Sequence, residues 1–197
     1  MDLEKCFAQI EATEGWLTVQ EGLALMELAK KSKSGVIEIG SWKGKSTSYL
    51  LLGSYLGNKC PIEAIDTFEG SPEHKLKGIK TINDFKKNIS ALPFETKMLS
   101  VYENKSELIY SNFENEDYDV LLIDGNHSLI HVIKDFALYY DKIKPNGYIA
   151  LHDFGKEGWA GPTHFGEMLM KEFSDCEQIG SLLIVKKNSF KGLGSWK

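Results

Sequence analysis

Five short apolar runs recur along the 197-residue chain, spaced so that a helix fits between one and the next. They cover residues 35–40, 61–66, 97–101, 118–124 and 147–153. Runs of this length, closed by turn residues, suit strands covered on both faces of a parallel sheet. The clearest helical pattern covers residues 128–143. It sets Leu129, Ile133, Phe136, Ala137, Tyr140 and Ile143 on one face and Lys134, Asp135, Asp141 and Lys142 on the other. Pro145-Asn146-Gly147 is expected to stop that helix and turn the chain into the fifth strand. Alternating β and α units predict an α/β fold: a doubly wound sheet with helices on both faces.

The ends of the chain depart from this alternation. Residues 1–32 read as a helical cap, with Leu25, Leu28 and Ala29 on one face. After a helix over residues 162–173, residues 178–187 read as two strands hinged at Gly180-Ser181, one of them a closing antiparallel strand. The expected organisation is a single domain: cap 1–32, core 33–187 and tail 188–197. Lysine and arginine number 23 against 28 acidic residues, a net charge of −5 that argues against nucleic acid as a partner. No apolar stretch is long enough to span a bilayer, and residues 1–5 lack a signal-peptide pattern. Cys6, Cys60 and Cys176 are widely spaced and fit reduced thiols. The expectation is a cytoplasmic protein with no membrane partner; a homodimer is the commonest oligomer for such chains.

In open α/β sheets, ligands bind beyond the carboxyl ends of the strands. Those ends carry Gly40-Ser41-Trp42-Lys43-Gly44, Asp66, Asp124-Gly125-Asn126-His127 and His152-Asp153. Gly40 and Gly44 allow a tight turn and close backbone approach, and the helix that follows offers free N–H groups. The loop fits a nucleoside, or a triphosphate as Gly44-Lys45-Ser46 suggests, with Asp124 imitating the acid of such a site. A phosphate loop needs four residues between its glycines, however, and here there are three. Asp66, ending the second strand, stands where nucleoside folds place an acid on the ribose hydroxyls. A ligand-free turn and a binding module without catalysis are the remaining readings.

The ordered set Glu38-x-Gly40-x-x-x-Gly44, Ile65-Asp66-Thr67-Phe68-Glu69-Gly70, Ile123-Asp124-Gly125-Asn126-His127, Lys144-Pro145-Asn146-Gly147 and Leu151-His152-Asp153 resembles class I S-adenosylmethionine-dependent methyltransferases. Within them it resembles the small O-methyltransferase branch that includes sugar O-methyltransferases and cephalosporin-hydroxylase-like proteins. The resemblance covers residues 15–187. It implies a Rossmann-like, seven-stranded, mostly parallel sheet with a C-terminal antiparallel strand. It also implies that Gly40 lies against the methionine part of S-adenosylmethionine, with Glu38 below, Ser41 and Trp42 in the loop, and Ser46 or Thr47 nearby. Asp66 and Thr67 would serve the ribose, and the segment Asn104-Lys105-Ser106 the adenine.

The resemblance further implies methylation of a small-molecule hydroxyl, on a sugar or a phenol. His127 would be the general base, since an unperturbed imidazole accepts a proton near neutral pH. Asp124 and Asp153, on neighbouring strand ends, could hold Mg2+ or another divalent cation. Where some relatives carry two successive acids this chain has His152-Asp153; imidazole suits transition metals better than Mg2+, so His152 stands as a reserve ligand beside Asp124 and Asp153. Trp16 and Trp159 are candidates for stacking on the acceptor, while His131 reads as a solvated helix residue and His74 and His164 as unremarkable.

Overall fold

The computed structural model describes residues 2–70 and 78–187. Residues 71–77, His74 among them, and the tail 188–197 lie outside the described residues. Seven strands form one sheet: β1 Val36–Ile39, β2 Ile62–Asp66, β3 Leu99–Glu103, β4 Tyr118–Ile123, β5 Ile143–Leu151, β6 Cys176–Ile179 and β7 Leu182–Lys186. Their order is β3-β2-β1-β4-β5-β7-β6, and β7 alone among them runs against its neighbours β5 and β6. The expected doubly wound sheet with a closing antiparallel strand is therefore what the chain builds. The switch point lies between β1 and β4, parallel neighbours joined Ile39 to Ile123 at their carboxyl ends.

Side-chain alternation divides the core. Val36, Ile62, Val120 and Leu122 face one apolar layer with Leu25 and Leu50–Leu52; Ile37, Ile39, Leu121 and Ile123 face the other with Val132, Tyr139 and Phe165. The first layer is covered by α1 (Leu3–Glu11), α2 (Val19–Lys31), α3 (Lys45–Leu56) and α4 (Ile82–Ser90). The second lies under α5 (Ser106–Ile109), α6 (Leu129–Tyr139) and α7 (Ala160–Glu172). The expected N-terminal cap is thus two helices. The second opens on a capping box, in which Thr18 and Glu21 satisfy each other's backbone N–H groups.

Three sequence expectations need correction. The helix after β4 stops at Tyr139 and passes through a 3-10 turn, Tyr140–Lys142, so Ile143 opens β5 instead of ending a helix. Pro145-Asn146-Gly147 lies inside β5, where the pairing register with β4 shifts between Tyr118 and Val120. A bulge absorbs the proline that would have broken a regular ladder. The buried stripe of α6 also differs from the expected one. Val132, Asp135 and Tyr139 are buried, whereas Leu129 and Ile130 are exposed. Asp135, assigned above to the solvent face, thus points inward.

Candidate active site

The carboxyl ends of β1 to β5 open into one cleft of about 610 Å³. Of the residues singled out from the sequence, Gly40, Ser41, Trp42, Ser46, Asp66, Thr67, Ser106, Asp124, His127, His152 and Asp153 line it. Glu38, Gly44 and Thr47 do not; they lie buried beneath the first loop.

Strand alternation explains that arrangement. Glu38 shares its face of β1 with Val36, so its carboxylate enters the layer where α3 begins. There the hydroxyls of Ser41, Ser46 and Thr47 donate to it at 2.7, 2.5 and 2.5 Å. Burial is the largest influence on Glu38 and outweighs these three donors, so its pKa rises to about 7. Above it, Asp66 Oδ2 accepts from the backbone N–H groups of Ser41 and Trp42 at 2.7 and 2.8 Å, and Oδ1 from Phe68 N at 2.7 Å.

These bonds also decide how the glycine loop works. A Cβ on Gly40, at φ +91°, would stand 2.0 Å from the Asp124 carbonyl oxygen, so the close approach this glycine permits is to β4. The loop N–H groups a phosphate would need are turned onto Asp66. Lys45, the lysine of the supposed phosphate loop, pairs with Glu11 at 3.1 Å. The triphosphate reading has lost both its backbone donors and its cation.

A second cluster stands at the ends of β4 and β5. His152 Nδ1 lies 3.1 Å from Asp124 Oδ1 and 3.4 Å from Asp153 Oδ1. His127 Nε2 lies 2.9 Å from Asp153 Oδ2 and 4.0 Å from Asp124 Oδ1. Lys156 Nζ reaches Asp153 Oδ1 at 3.0 Å. One ligand atom from each of Asp124, His152 and Asp153 lies within 4.8 Å of the others, an arrangement that could hold a metal ion. Asp153 sits at φ +61°, a left-handed conformation that a non-glycine residue adopts at some cost.

Charges in this cluster reinforce one another. Burial alone would lower both imidazoles, but the neighbouring carboxylates dominate and raise His127 to about 9 and His152 to about 10. Burial would raise Asp124, yet the two histidines bring it to about 2. Without a cation in the cluster, His127 therefore carries a proton at neutral pH.

Three residues of the site escaped sequence reasoning. Asp135 lines the cleft and accepts from Ser106 Oγ at 2.5 Å; burial raises its pKa to about 6. Its signal is the Val132–Asp135–Tyr139 spacing, which competes with a more apolar stripe one position away. Glu21, 1% exposed, approaches His152 Nε2 at 3.7 Å from α2. Its local role is the capping box of α2, and nothing in the sequence pattern links it to His152. Lys156 lay unremarked in a loop. Trp159, expected as a stacking platform for the acceptor, lines the cleft, and its ring centroid lies 4.0 Å from that of His127. Trp16 packs on Trp42, and both line the cleft. His131 also lines it, although exposed, and its Nδ1 lies 2.6 Å from Ser128 Oγ. His164 is exposed.

A family model described as a methyltransferase domain matches residues 37–154, from β1 to just beyond His152-Asp153. The chain belongs to this methyltransferase family. It is 29% identical over 124 residues to an uncharacterized protein of Acanthamoeba polyphaga mimivirus, covering 63% of this chain and 53% of that one. The methyltransferase chain thus spans about half the length of the curated relative it matches. Among solved structures it shares its fold with an O-methyltransferase from Bacillus cereus in complex with SAH. There the TM-score is 0.64 at 18% identity, over 93% of this chain and 90% of that one. It also shares the fold of the MycE methyltransferase of mycinamycin biosynthesis in complex with Mg and SAH. That match has a TM-score of 0.62 at 14% identity, over 100% of this chain and 58% of that one. The class I methyltransferase resemblance and its Rossmann-like sheet are borne out.

Proposed function

We propose that this methyltransferase uses S-adenosylmethionine to methylate a hydroxyl oxygen of a small molecule, a sugar or a phenol, with His127 as general base and a divalent cation held at Asp124 and Asp153. One observation carries the reading. A single cleft joins the loop fastened by Asp66 and Glu38 to a cluster of carboxylates and imidazoles at the next two strand ends.

The donor fits the first half. Asp66 Oδ1 has one backbone donor and can accept another hydrogen bond, as a ribose hydroxyl would supply, and Thr67 stands beside it. Ser106 and Asp135 close the far end with a hydroxyl and a carboxylate suited to a purine edge. The donor, when bound, supplies an already activated methyl group for in-line displacement. The protein has then to align the acceptor oxygen and remove its proton.

The second half suits that task. Among the described residues, the cluster's two carboxylates are compensated by protonated imidazoles and Lys156. A divalent cation at Asp124 and Asp153 would supply the positive charge that those protons now supply, and would acidify an acceptor hydroxyl. With that charge supplied, His127 no longer needs its proton and can take one from the acceptor. Trp159 holds the imidazole ring at the rim. The reading is tested by incubating the protein with S-adenosylmethionine, a panel of sugars and phenols, and Mg2+ or Mn2+. S-adenosylhomocysteine release should be seen in the wild type and be lost in Asp124→Ala and His127→Ala, both of which should still bind the donor. Turnover unchanged in both variants would refute the roles.

No helix among the described residues is long and apolar enough to cross a membrane. The proposed partners remain a small-molecule acceptor and a second copy of the chain, with neither nucleic acid nor membrane.

A further inference from the structure

His152 differs from its neighbours in the cluster in one respect: its ring is held from behind. It is 3% exposed, and Nδ1 faces Asp124 and Asp153. Nε2 is buried without a hydrogen-bond partner, and Glu21 Oε2 stands 3.7 Å away. Glu21 is itself immobilised. Oε2 accepts from Thr18 N and Thr18 Oγ1 at 2.7 and 2.8 Å, and Oε1 from Ser181 N and Ser181 Oγ at 2.6 and 2.8 Å. Four donors from the N-terminal cap and from the β6–β7 turn thus fix a buried carboxylate behind the imidazole. When a metal ion takes the place of the Nδ1 proton, such an arrangement keeps the remaining proton on Nε2 and directs the Nδ1 lone pair at the ion between the two aspartates.

We infer that the cluster is a mixed nitrogen–oxygen site selective for a divalent transition ion over Mg2+, with His152 Nδ1 as the third ligand and Glu21 as the residue that positions it. The inference rests on the cation site of the proposed function and adds to it the choice of ion. Mg2+ favours an all-oxygen shell, whereas imidazole suits first-row transition metals. A carboxylate behind a ligating histidine orients the ring and raises its basicity, and losing such a partner weakens metal binding by about 10–100-fold. The N-terminal cap, which lies outside the matched family segment, would thereby take part in selecting the metal.

Co2+ and Mg2+ titrations of the purified full chain, by calorimetry and by the visible spectrum of bound Co2+, test this directly. The expected result is a strong preference for Co2+ in the wild type. His152→Asn should weaken Co2+ binding by about tenfold or more, leave Mg2+ binding within about threefold, and change the Co2+ spectrum. Glu21→Gln should reduce the Co2+ preference in the same direction. Mere structural damage would weaken both ions alike, and His152→Asn, which leaves α2 intact, guards against a misfolded Glu21 variant. An unchanged ratio of Co2+ to Mg2+ affinity in His152→Asn would overturn the inference, as would no binding of either ion at millimolar concentration. S-adenosylhomocysteine titrated into the same samples keeps the questions apart. Donor binding without ion discrimination sinks only this inference, whereas absent donor binding sinks the methyl-transfer reading.

Discussion

Two carboxylate clusters stand side by side at the carboxyl edge of the sheet, and they are compensated in opposite ways. At β1 and β2, Glu38 and Asp66 are surrounded by hydroxyls and backbone N–H groups, neutral donors that belong to the fold and cannot leave. At β4 and β5, Asp124 and Asp153 are met by imidazoles and an ammonium group, whose positive charges a cation can replace. The first cluster fastens a loop, and the second holds charges that can be exchanged. The same residue type takes either role according to whether its partners are fixed dipoles or exchangeable charges.

That contrast can be broken most severely at His127. His127→Ala should reduce methyl transfer by about 10²–10⁴-fold, as for loss of a general base, while leaving donor affinity within a few-fold. A loss confined to donor affinity would assign the histidine to the wrong half of the cleft. Gly40→Ala comes next. Its Cβ would overlap the Asp124 carbonyl at a positive φ, so chemical denaturation should show a destabilisation of about 3 kcal/mol or more. A well-folded Gly40→Ala protein that merely failed to bind the donor would show instead that the glycine serves the ligand.

The third prediction concerns pH. The folded-state pKa of Glu38 lies near 7, above its ordinary value, because burial outweighs its donors. Stability is then greatest where the group is protonated in both states, below about pH 4.5, and falls as pH rises to about 7. Glu38→Gln has no such proton to lose. The stability difference, variant minus wild type, should therefore increase by about 3 kcal/mol between pH 4.5 and 8, measured by urea unfolding across that range. A flat difference would mean that Glu38 is ionised throughout and that the three hydroxyls compensate it fully. The smallest effect belongs to Lys45→Ala. Its pairing with Glu11 near the surface predicts a change of less than about 1 kcal/mol and an unaltered donor affinity. Abolished nucleotide binding in that variant would revive the phosphate-loop reading.

Much of this was legible in the sequence because parallel strands buried on both faces are continuous apolar runs, and their ends announce themselves as glycines and acids. Asp66, Asp124, His127 and Asp153 could be read that way. The partners of those groups could not. Glu38 and Thr47 looked like cofactor neighbours, but only the alternation of β1 against α3 shows that their bond is to each other. Asp135 takes the inward face because the buried stripe of α6 centres on Val132 and leaves Leu129 exposed, a rotation of one position that the apolar pattern does not show. Glu21 satisfied a local rule, the capping box, and its contact with His152 spans 131 positions of sequence that no periodicity encodes. The altered acidity of His127 likewise arises from charges brought together by β4 and β5.

Calorimetric titration of the purified chain with S-adenosylmethionine, with ATP as the control ligand, tests the central claim most directly. The account predicts saturable donor binding that is lost in Asp66→Ala, because the loop proposed to receive the donor is fastened to that carboxylate. Binding of ATP alone, or donor binding indifferent to Asp66, would contradict it.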